Sequence, residues 1–197
     1  MTALQQDETD TALCLDSPVI TTDRLILRPP HEDDAEELAL IANNENIARM
    51  LGTLPHPYTR DNAREFIARV SASIGRACVY AITEAESGRL IGVGGLHEDK
   101  SRHDEPYMGY WLGEPYWGKG YATESARALV DLYFKVTNRP VLMATLRSEN
   151  DASRSVIEKC GGRLHSTTEA THPVFGYTTV LEHYLITRER WMGQIAA

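Results

Sequence analysis

The stretch Tyr107-Met108-Gly109-Tyr110-Trp111-Leu112-Gly113-Glu114-Pro115-Tyr116-Trp117-Gly118-Lys119-Gly120-Tyr121-Ala122-Thr123 decides how the chain is read. Residues 107–112 are aromatic and apolar and read as a strand, which Glu114-Pro115 ends. A glycine-rich turn follows at 118–120. Beyond it Ala126, Leu129, Val130 and Tyr133 stand at i, i+3, i+4 and i+7, so residues 122–136 read as an amphipathic helix. A helix N-terminus leaves backbone N–H groups unpaired and carries partial positive charge. Glycines at 118 and 120 let the backbone curl until several N–H groups point at one anion, and they remove side chains that would block its approach. The ligand that suits this geometry is a phosphate or pyrophosphate. Lys119 either adds charge there or points to solvent. The spacing fits neither the GxxxxGK[ST] loop nor the GxGxxG dinucleotide fingerprint.

Outward from this unit the period alternates. Arg24–Arg28 is a short strand closed by Pro29-Pro30. Asp33 and Glu36 have capping-box spacing before a helical stripe of Ala35, Leu38, Ile41 and Ala42. A second short helix covers Glu45–Leu51, and Thr59 caps a third through Asn62–Ser73. Strands follow at 77–82 and 90–96, on either side of a Ser87-Gly88 turn. After the helix at 122–136 come a strand at 141–146, a helix at 150–160 ended by Gly161-Gly162, and strands near 163–168 and 177–186. This order predicts an α+β fold, with helices flanking a mixed, largely antiparallel sheet. Residues 1–17 are polar and acidic and are expected as a flexible tail, with one domain over 18–197.

Composition removes several classes of function. The net charge is −8 and the basic residues are scattered, which argues against a nucleic-acid partner. An acidic surface suits cationic substrates such as amines, and it also simply maintains solubility. The apolar runs are too short to span a membrane, and the N-terminus lacks a secretory pattern. Cys14, Cys78 and Cys160 are far apart and odd in number, so no disulfide framework is expected and a reducing, cytoplasmic setting is. The histidines form no i, i+4 pair, so no metal site is expected.

The same residues resemble the GNAT superfamily of acyl-CoA N-acyltransferases, closest to its RimJ/RimL-like branch of ribosomal-protein N-terminal acetyltransferases, which suggests a bacterial source. The family pattern [QR]-x-x-G-x-[GA] corresponds here to Trp117-Gly118-Lys119-Gly120-Tyr121-Ala122, followed by Thr123-Glu124-Ser125-Ala126. Gly109-Tyr110-Trp111-Leu112 is similar to that branch's fourth-strand signature. Asn150-Asp151-Ala152-Ser153 with Glu158-Lys159-Cys160-Gly161 is similar to its motif after the fifth strand, and Thr22-Asp23-Arg24-Leu25-Ile26-Leu27-Arg28 matches its opening. The resemblance covers roughly residues 19–190. Three positions depart from the pattern. Trp117 replaces Gln or Arg, Gly162 replaces an aromatic residue, and the helix at 150–160 lacks the tyrosine that other branches use as general acid.

The resemblance implies a sheet whose fourth and fifth strands, here 107–112 and 141–146, splay apart to admit the pantetheine arm of acetyl-CoA. It implies direct transfer of the acetyl group to an amine, with no metal. The pyrophosphate would rest on the backbone of Trp117, Gly118, Lys119, Gly120, Tyr121, Ala122 and Thr123, and the oxyanion on N–H groups around Tyr110, Trp111 and Leu112. Glu114 stands where the branch has a proposed base, and it also reads as a solvated carboxylate before a proline. Asn150 would hold a pantetheine amide, and it also reads as an N-cap. Ser153 would donate to the departing thiolate, and it also reads as a first-turn serine satisfied locally. His97, Tyr107 and His172 are candidates for lining an acceptor pocket, and Cys160 reads as a core residue. The acceptor is a protein N-terminus or a small-molecule amine, and a homodimer is compatible with the family. A non-catalytic acyl-CoA-binding module and a nucleotide-binding regulator are the competing readings.

Overall fold

A computed structural model describes residues 17–72, 77–99 and 105–195. Apart from its last residue, the tail expected over 1–17 lies outside these. The strands are β1 (Ile20–Thr21), β2 (Leu25–Arg28), β3 (Ala77–Glu84), β4 (Leu90–Asp99), β5 (Glu105–Leu112), β6 (Val141–Arg147), β7 (Arg163–Thr171) and β8 (Thr178–Thr187). The helices are α1 (Ala35–Ala42), α2 (Glu45–Met50), α3 (Arg60–Ser71), α4 (Tyr121–Val136), α5 (Asp151–Lys159) and α6 (Arg188–Ile195). Among the described residues the strands form one sheet in the order β1-β2-β3-β4-β5-β6-β8-β7. Every neighbouring pair is antiparallel except β5 and β6. A parallel pair needs a crossover, and α4 is that crossover.

Each face of the central strands is covered, while the edge strand β7 is mostly exposed. Met108 and Leu112 of β5, with Leu142, Ala144 and Leu146 of β6, pack with Ala126, Leu129, Val130 and Tyr133 of α4 and Val156 and Ile157 of α5. On the opposite face Ala81, Leu90 and Val93 pack with Leu38 of α1, Ile47 of α2 and Ala63 and Ile67 of α3. The stripe read along 122–136 is therefore the buried face of α4. Its largest member satisfies its own polar end, because the buried Tyr133 hydroxyl donates to the Val141 carbonyl at 2.8 Å.

Several ends depart from the sequence reading. The expected Asp33/Glu36 box is instead a His31/Asp34 box on a 3-10 turn, Glu32–Asp34. The buried Asp34 carboxylate takes both ends of Arg28, at 2.8 and 2.6 Å, and the His31 N–H at 2.7 Å. Those partners, six and three residues back in the chain, fix where the turn closes. Thr59 caps α3 as expected, accepting from the Asn62 N–H at 3.2 Å. Cys78 is disulfide-bonded, which corrects the expectation of unpaired thiols, while Cys160 is free and buried. Spacing along the chain cannot show a pairing that the fold creates.

Gly94 is a consequence of α4 packing. A Cβ there would stand 3.1 Å from Leu129 Cδ1 and 3.3 Å from Ile82 Cδ1. Leu129→Ala should cost about 2–5 kcal/mol of stability through the cavity it leaves. Gly94→Ala should cost about 1–3 kcal/mol by overpacking. Denaturant unfolding of both variants and the double should show the Gly94 penalty shrinking in the Leu129→Ala background, since the two sites share the same space.

Candidate active site

The parallel register of β5 with β6 pairs Tyr107 with Met143 and Met108 with Ala144, then stops. Beyond that point the strands part, as the resemblance implied. The Gly113 N–H donates to the Ile91 carbonyl at 2.8 Å. Ladder groups alternate, so Trp111 and Gly109 also turn their backbone groups toward β4, and Tyr110 and Leu112 turn theirs toward the opening. The Leu112 carbonyl is taken by the Trp117 indole N–H at 2.7 Å. The N–H groups of Tyr110 and Leu112 thus face the gap.

Trp117 stands where the family pattern has Gln or Arg, and its indole ties the glycine-rich turn to the end of β5. A 3-10 turn, Glu114–Tyr116, brings the chain there. Gly118 and Gly120 have φ of +72° and +83°. This left-handed backbone suits glycine, and nothing lies within 4 Å of a Cβ placed on Gly118. Gly120 is the N-cap of α4 and no side chain caps it. The first N–H groups of a 16-residue helix are therefore left for a ligand. The Lys119 ammonium lies 5.5 Å from the Tyr116 ring centroid, folded back over that ring.

A clamp that sequence reading did not single out secures this turn. The Glu124 carboxylate accepts from the Thr22 hydroxyl (2.6 Å), the Arg24 N–H (2.8 Å) and Arg24 Nε (2.7 Å). Arg24 Nη1 donates to the Lys119 carbonyl at 3.0 Å, and its guanidinium covers the Tyr121 ring at 4.6 Å. Holding the Lys119 carbonyl on the Arg24 side turns the loop's carbonyl away from the anion-facing N–H groups. Neutralising Glu124 matters because a lone carboxylate in the first turn of α4 would repel a phosphate. Burial pushes the Glu124 carboxyl up, but the hydrogen bonds from Thr22 and Arg24 outweigh it and the pKa falls below the ordinary value. The stability this adds is full above the unfolded-state carboxylate pKa and is lost as pH falls through the folded one. The signal was available in the quoted motif Thr22-Asp23-Arg24 and in Glu124, the acid of the first turn.

Across the opening, Tyr110 reaches α5. Its hydroxyl lies 2.9 Å from Ser153 Oγ. Burial pushes the Tyr110 phenol far above its ordinary pKa, with the hydrogen bond to Ser153 a smaller opposing effect, so it stays protonated. The Asn150 side-chain oxygen accepts from the Ser153 N–H at 3.0 Å, so its N-cap reading holds, and its NH2 is a second polar group on the same amide. Tyr110, Asn150 and Ser153 are thus gathered at one place. Glu114 lies just past β5, where Asn44 Nδ2 donates to its carboxylate at 2.6 Å and Asn46 Nδ2 at 3.1 and 3.3 Å. Asn44 also caps α2, so the amide that grips Glu114 is itself fixed.

A cavity of about 510 Å³ opens on the α1–α3 face, with Leu54, Tyr58 and Phe66 on one side and Val79, His97 and Trp111 on the other. Its floor is Gly95 and Gly109, directly paired across β4 and β5. His97 borders it, with Tyr107 stacked on the imidazole at 6.0 Å. His172 does not. It is fully buried, with Nε2 3.2 Å from the Arg49 carbonyl and Nδ1 accepting from the Val174 and Phe175 N–H groups, so it pins the β7–β8 turn to α2. Burial pushes the Cys160 thiol up to about 11, which keeps it out of nucleophilic chemistry. Gly162 has a local reason: a Cβ there would stand 2.4 Å from Ile157 Cγ2, so no aromatic fits.

A parted parallel strand pair beside a glycine-turned helix N-terminus defines an acyl-CoA-dependent N-acyltransferase. Residues 24–163 match the family model described as an acetyltransferase (GNAT) domain, and the chain belongs to that family. It is 27% identical to the uncharacterised N-acetyltransferase YoaA of Bacillus subtilis over 146 residues, 73% of this chain and 82% of that protein. Its fold is similar to that of RimL, a ribosomal L7/L12 alpha-N-protein acetyltransferase solved with coenzyme A (TM-score 0.75, 20% identity, 86% of this chain and 98% of the other). It is also similar to RimJ of Mycobacterium smegmatis, solved with a CoA disulfide (TM-score 0.74, 21% identity, 87% and 88%). The protein is thus an acyl-CoA-dependent N-acetyltransferase with acetyl-CoA as cosubstrate and an amine as acceptor. The described residues fit that cosubstrate, with uncapped N–H groups for its phosphates and an opening for its thioester arm. No group of metal-ligating side chains occurs among them, and no helix among them is long and apolar enough to cross a membrane.

The clamp should act on cosubstrate binding. Glu124→Gln should raise KM for acetyl-CoA roughly tenfold, the size of a lost hydrogen bond to a charged group, and leave kcat near wild type. Steady-state kinetics at saturating amine would check the split.

Proposed function

We propose that the amine acceptor enters through the 510 Å³ cavity and attacks the thioester held between β5 and β6. The observation that carries this reading is the end of the β5–β6 register at Met108 and Ala144, with the Tyr110 and Leu112 N–H groups turned into the opening. The acceptor nitrogen forms the new N–C bond as the carbonyl π pair moves onto oxygen. The two N–H groups meet that oxyanion, which develops only on the way to the product. Collapse breaks the C–S bond and sends its electron pair to sulfur.

Two proton positions then need filling. Glu114 takes the proton that the amine loses. Asn44 and Asn46 fix its carboxylate, and an ionised carboxylate has more acceptor sites than those contacts use. Ser153 meets the departing thiolate with its hydroxyl, and Tyr110 holds that hydroxyl in place. The pyrophosphate rests on the N–H groups from Trp117 to Thr123, and the Asn150 amide holds the pantetheine arm. The asparagine contacts favour a second reading of Glu114 as a tie between the 3-10 turn and α2, with water taking the proton.

Calorimetric titration with acetyl-CoA and CoA should show micromolar binding, with none for ATP or NAD. Absence of acetyl-CoA binding would sink the cosubstrate reading. Glu114→Gln should lower kcat by roughly 100-fold or more and flatten the acid limb of the pH–rate profile, as expected of a general base. An unchanged profile assigns Glu114 to the tie alone. Ser153→Ala should slow turnover with little change in KM for acetyl-CoA, which the same assays would separate.

A further inference from the structure

Arg147 is the last residue of β6 and only 4% exposed. Its Nε is enclosed without a hydrogen-bond partner, and no ion pair reaches its guanidinium among the described residues. The carboxylates nearest in sequence or register are engaged elsewhere. Glu149 accepts from Thr179 Oγ1 at 3.2 and 3.0 Å, and Glu182 accepts from Arg154 at 3.0 and 3.2 Å. An enclosed charge without a counter-ion is expensive, and folds retain one where a ligand supplies the missing partner.

The place of Arg147 says which ligand. Leu142, Ala144 and Leu146 face α4 and α5, so Met143, Thr145 and Arg147 face the other way, toward the cavity side. Arg147 stands four residues past Met143 on β6, as Trp111 stands four past Tyr107 on β5, so the two lie on opposite strands of the opening beyond the last paired residues, and Trp111 lines the cavity. The guanidinium lies under the loop after α2, where a Cβ on Gly52 would stand 4.0 Å from Nη2. That loop supplies Leu51, Thr53 and Leu54 to the cavity wall. It also carries His56, whose Nδ1 is likewise buried and unpartnered.

Resting on the acetyl-transfer reading, we infer that Arg147 is an acceptor-binding residue that pairs with an anionic group of the substrate, so that the acceptor is a small amine that also bears a carboxylate or phosphate. The guanidinium fork matches either anion with two parallel N–H bonds. An acceptor reaching from the thioester opening to Arg147 presents its amine at one end and its anion at the other.

The full-length protein, with CoA bound, is melted against matched pairs of amines: phenylalanine and phenethylamine, tyrosine and tyramine, phosphoethanolamine and ethanolamine. We expect the melting temperature to rise by a few degrees with at least one member that bears the anionic group and not with the twin that lacks it. The pair that responds identifies carboxylate or phosphate. Arg147→Met should abolish that rise, keep the rise produced by CoA, and melt no lower than wild type without ligand, because it removes an unpaired charge. Arg147→Lys should retain part of the response. In turnover assays the anionic member should be favoured about tenfold in kcat/KM by the wild type and not by Arg147→Met. A wild type that treats both members of every pair alike overturns the inference, and so does an Arg147→Met protein that keeps the discrimination or melts well below wild type. Lack of response to CoA itself would instead defeat the acetyl-transfer reading.

Discussion

The end of pairing between β5 and β6 is the constraint on which the rest of the site depends. Two parallel strands that start in register would close into an ordinary ladder unless something kept them apart. Three contacts do so. The Tyr110 side chain spans the gap and meets Ser153 on α5. The Trp117 indole takes the Leu112 carbonyl, which a closing ladder would need. Asn150 starts α5 directly after β6 by accepting from the Ser153 N–H, so the chain leaves the sheet before it can re-pair. The exposed ladder groups are thereby left for the binding role proposed above, as in recognition by an added strand.

Charge around the glycine-rich turn is arranged with the same economy. The turn follows a strand that has just lost its partner and leads into a helix whose N-terminus no side chain caps. Left alone, the loop would be free to choose several conformations, and Glu124 would oppose any anion. Arg24 resolves both difficulties from β2's entry, more than ninety residues away in sequence, by pairing with Glu124 and holding the Lys119 carbonyl. Lys119, which the sequence left between adding charge and pointing to solvent, lies over the Tyr116 ring. In the proposed reading the pyrophosphate is therefore met by backbone and dipole rather than by a lysine.

What was legible in the sequence follows from what is local. The α4 stripe, the Thr59 and Asn150 caps and the glycine turn each depend on neighbours within a few residues, and each lies where it was read. The short β1 was not read, because two residues carry no periodicity and Ile20 and Thr21 are ordered by pairing with Leu27 and Ile26. α6 was missed for a related reason. It is short and polar, and it is held by Trp191 against Phe134, the Trp191 indole on Asp131, and Arg188 on the Phe134 and Thr137 carbonyls. The clamp at Arg24, the grip of Asn44 and Asn46 on Glu114, and the solitary Arg147 are equally products of distant pairing. Motif reading brought together Tyr110, Asn150 and Ser153, but it could not see which polar groups lacked partners.

The paired glycines at 95 and 109 connect the two faces of the sheet. A Cβ on Gly95 would stand 2.7 Å from the Cys78 carbonyl oxygen, so that position admits no side chain, whereas Gly109 faces open space with only His97 within 4 Å. The floor of the cavity is consequently bare backbone, and it lies along the strand whose Tyr110 and Leu112 N–H groups point into the opening. Side chains of ordinary size at 109 would lift an acceptor away from the sheet. Under the proposed mechanism their absence lets a nitrogen on one face approach a carbonyl held at the strand edge, with Tyr110 and Ser153 on the opposite face. In the proposed reading the sheet divides the two substrates by face and joins them where the pairing of β5 with β6 ends.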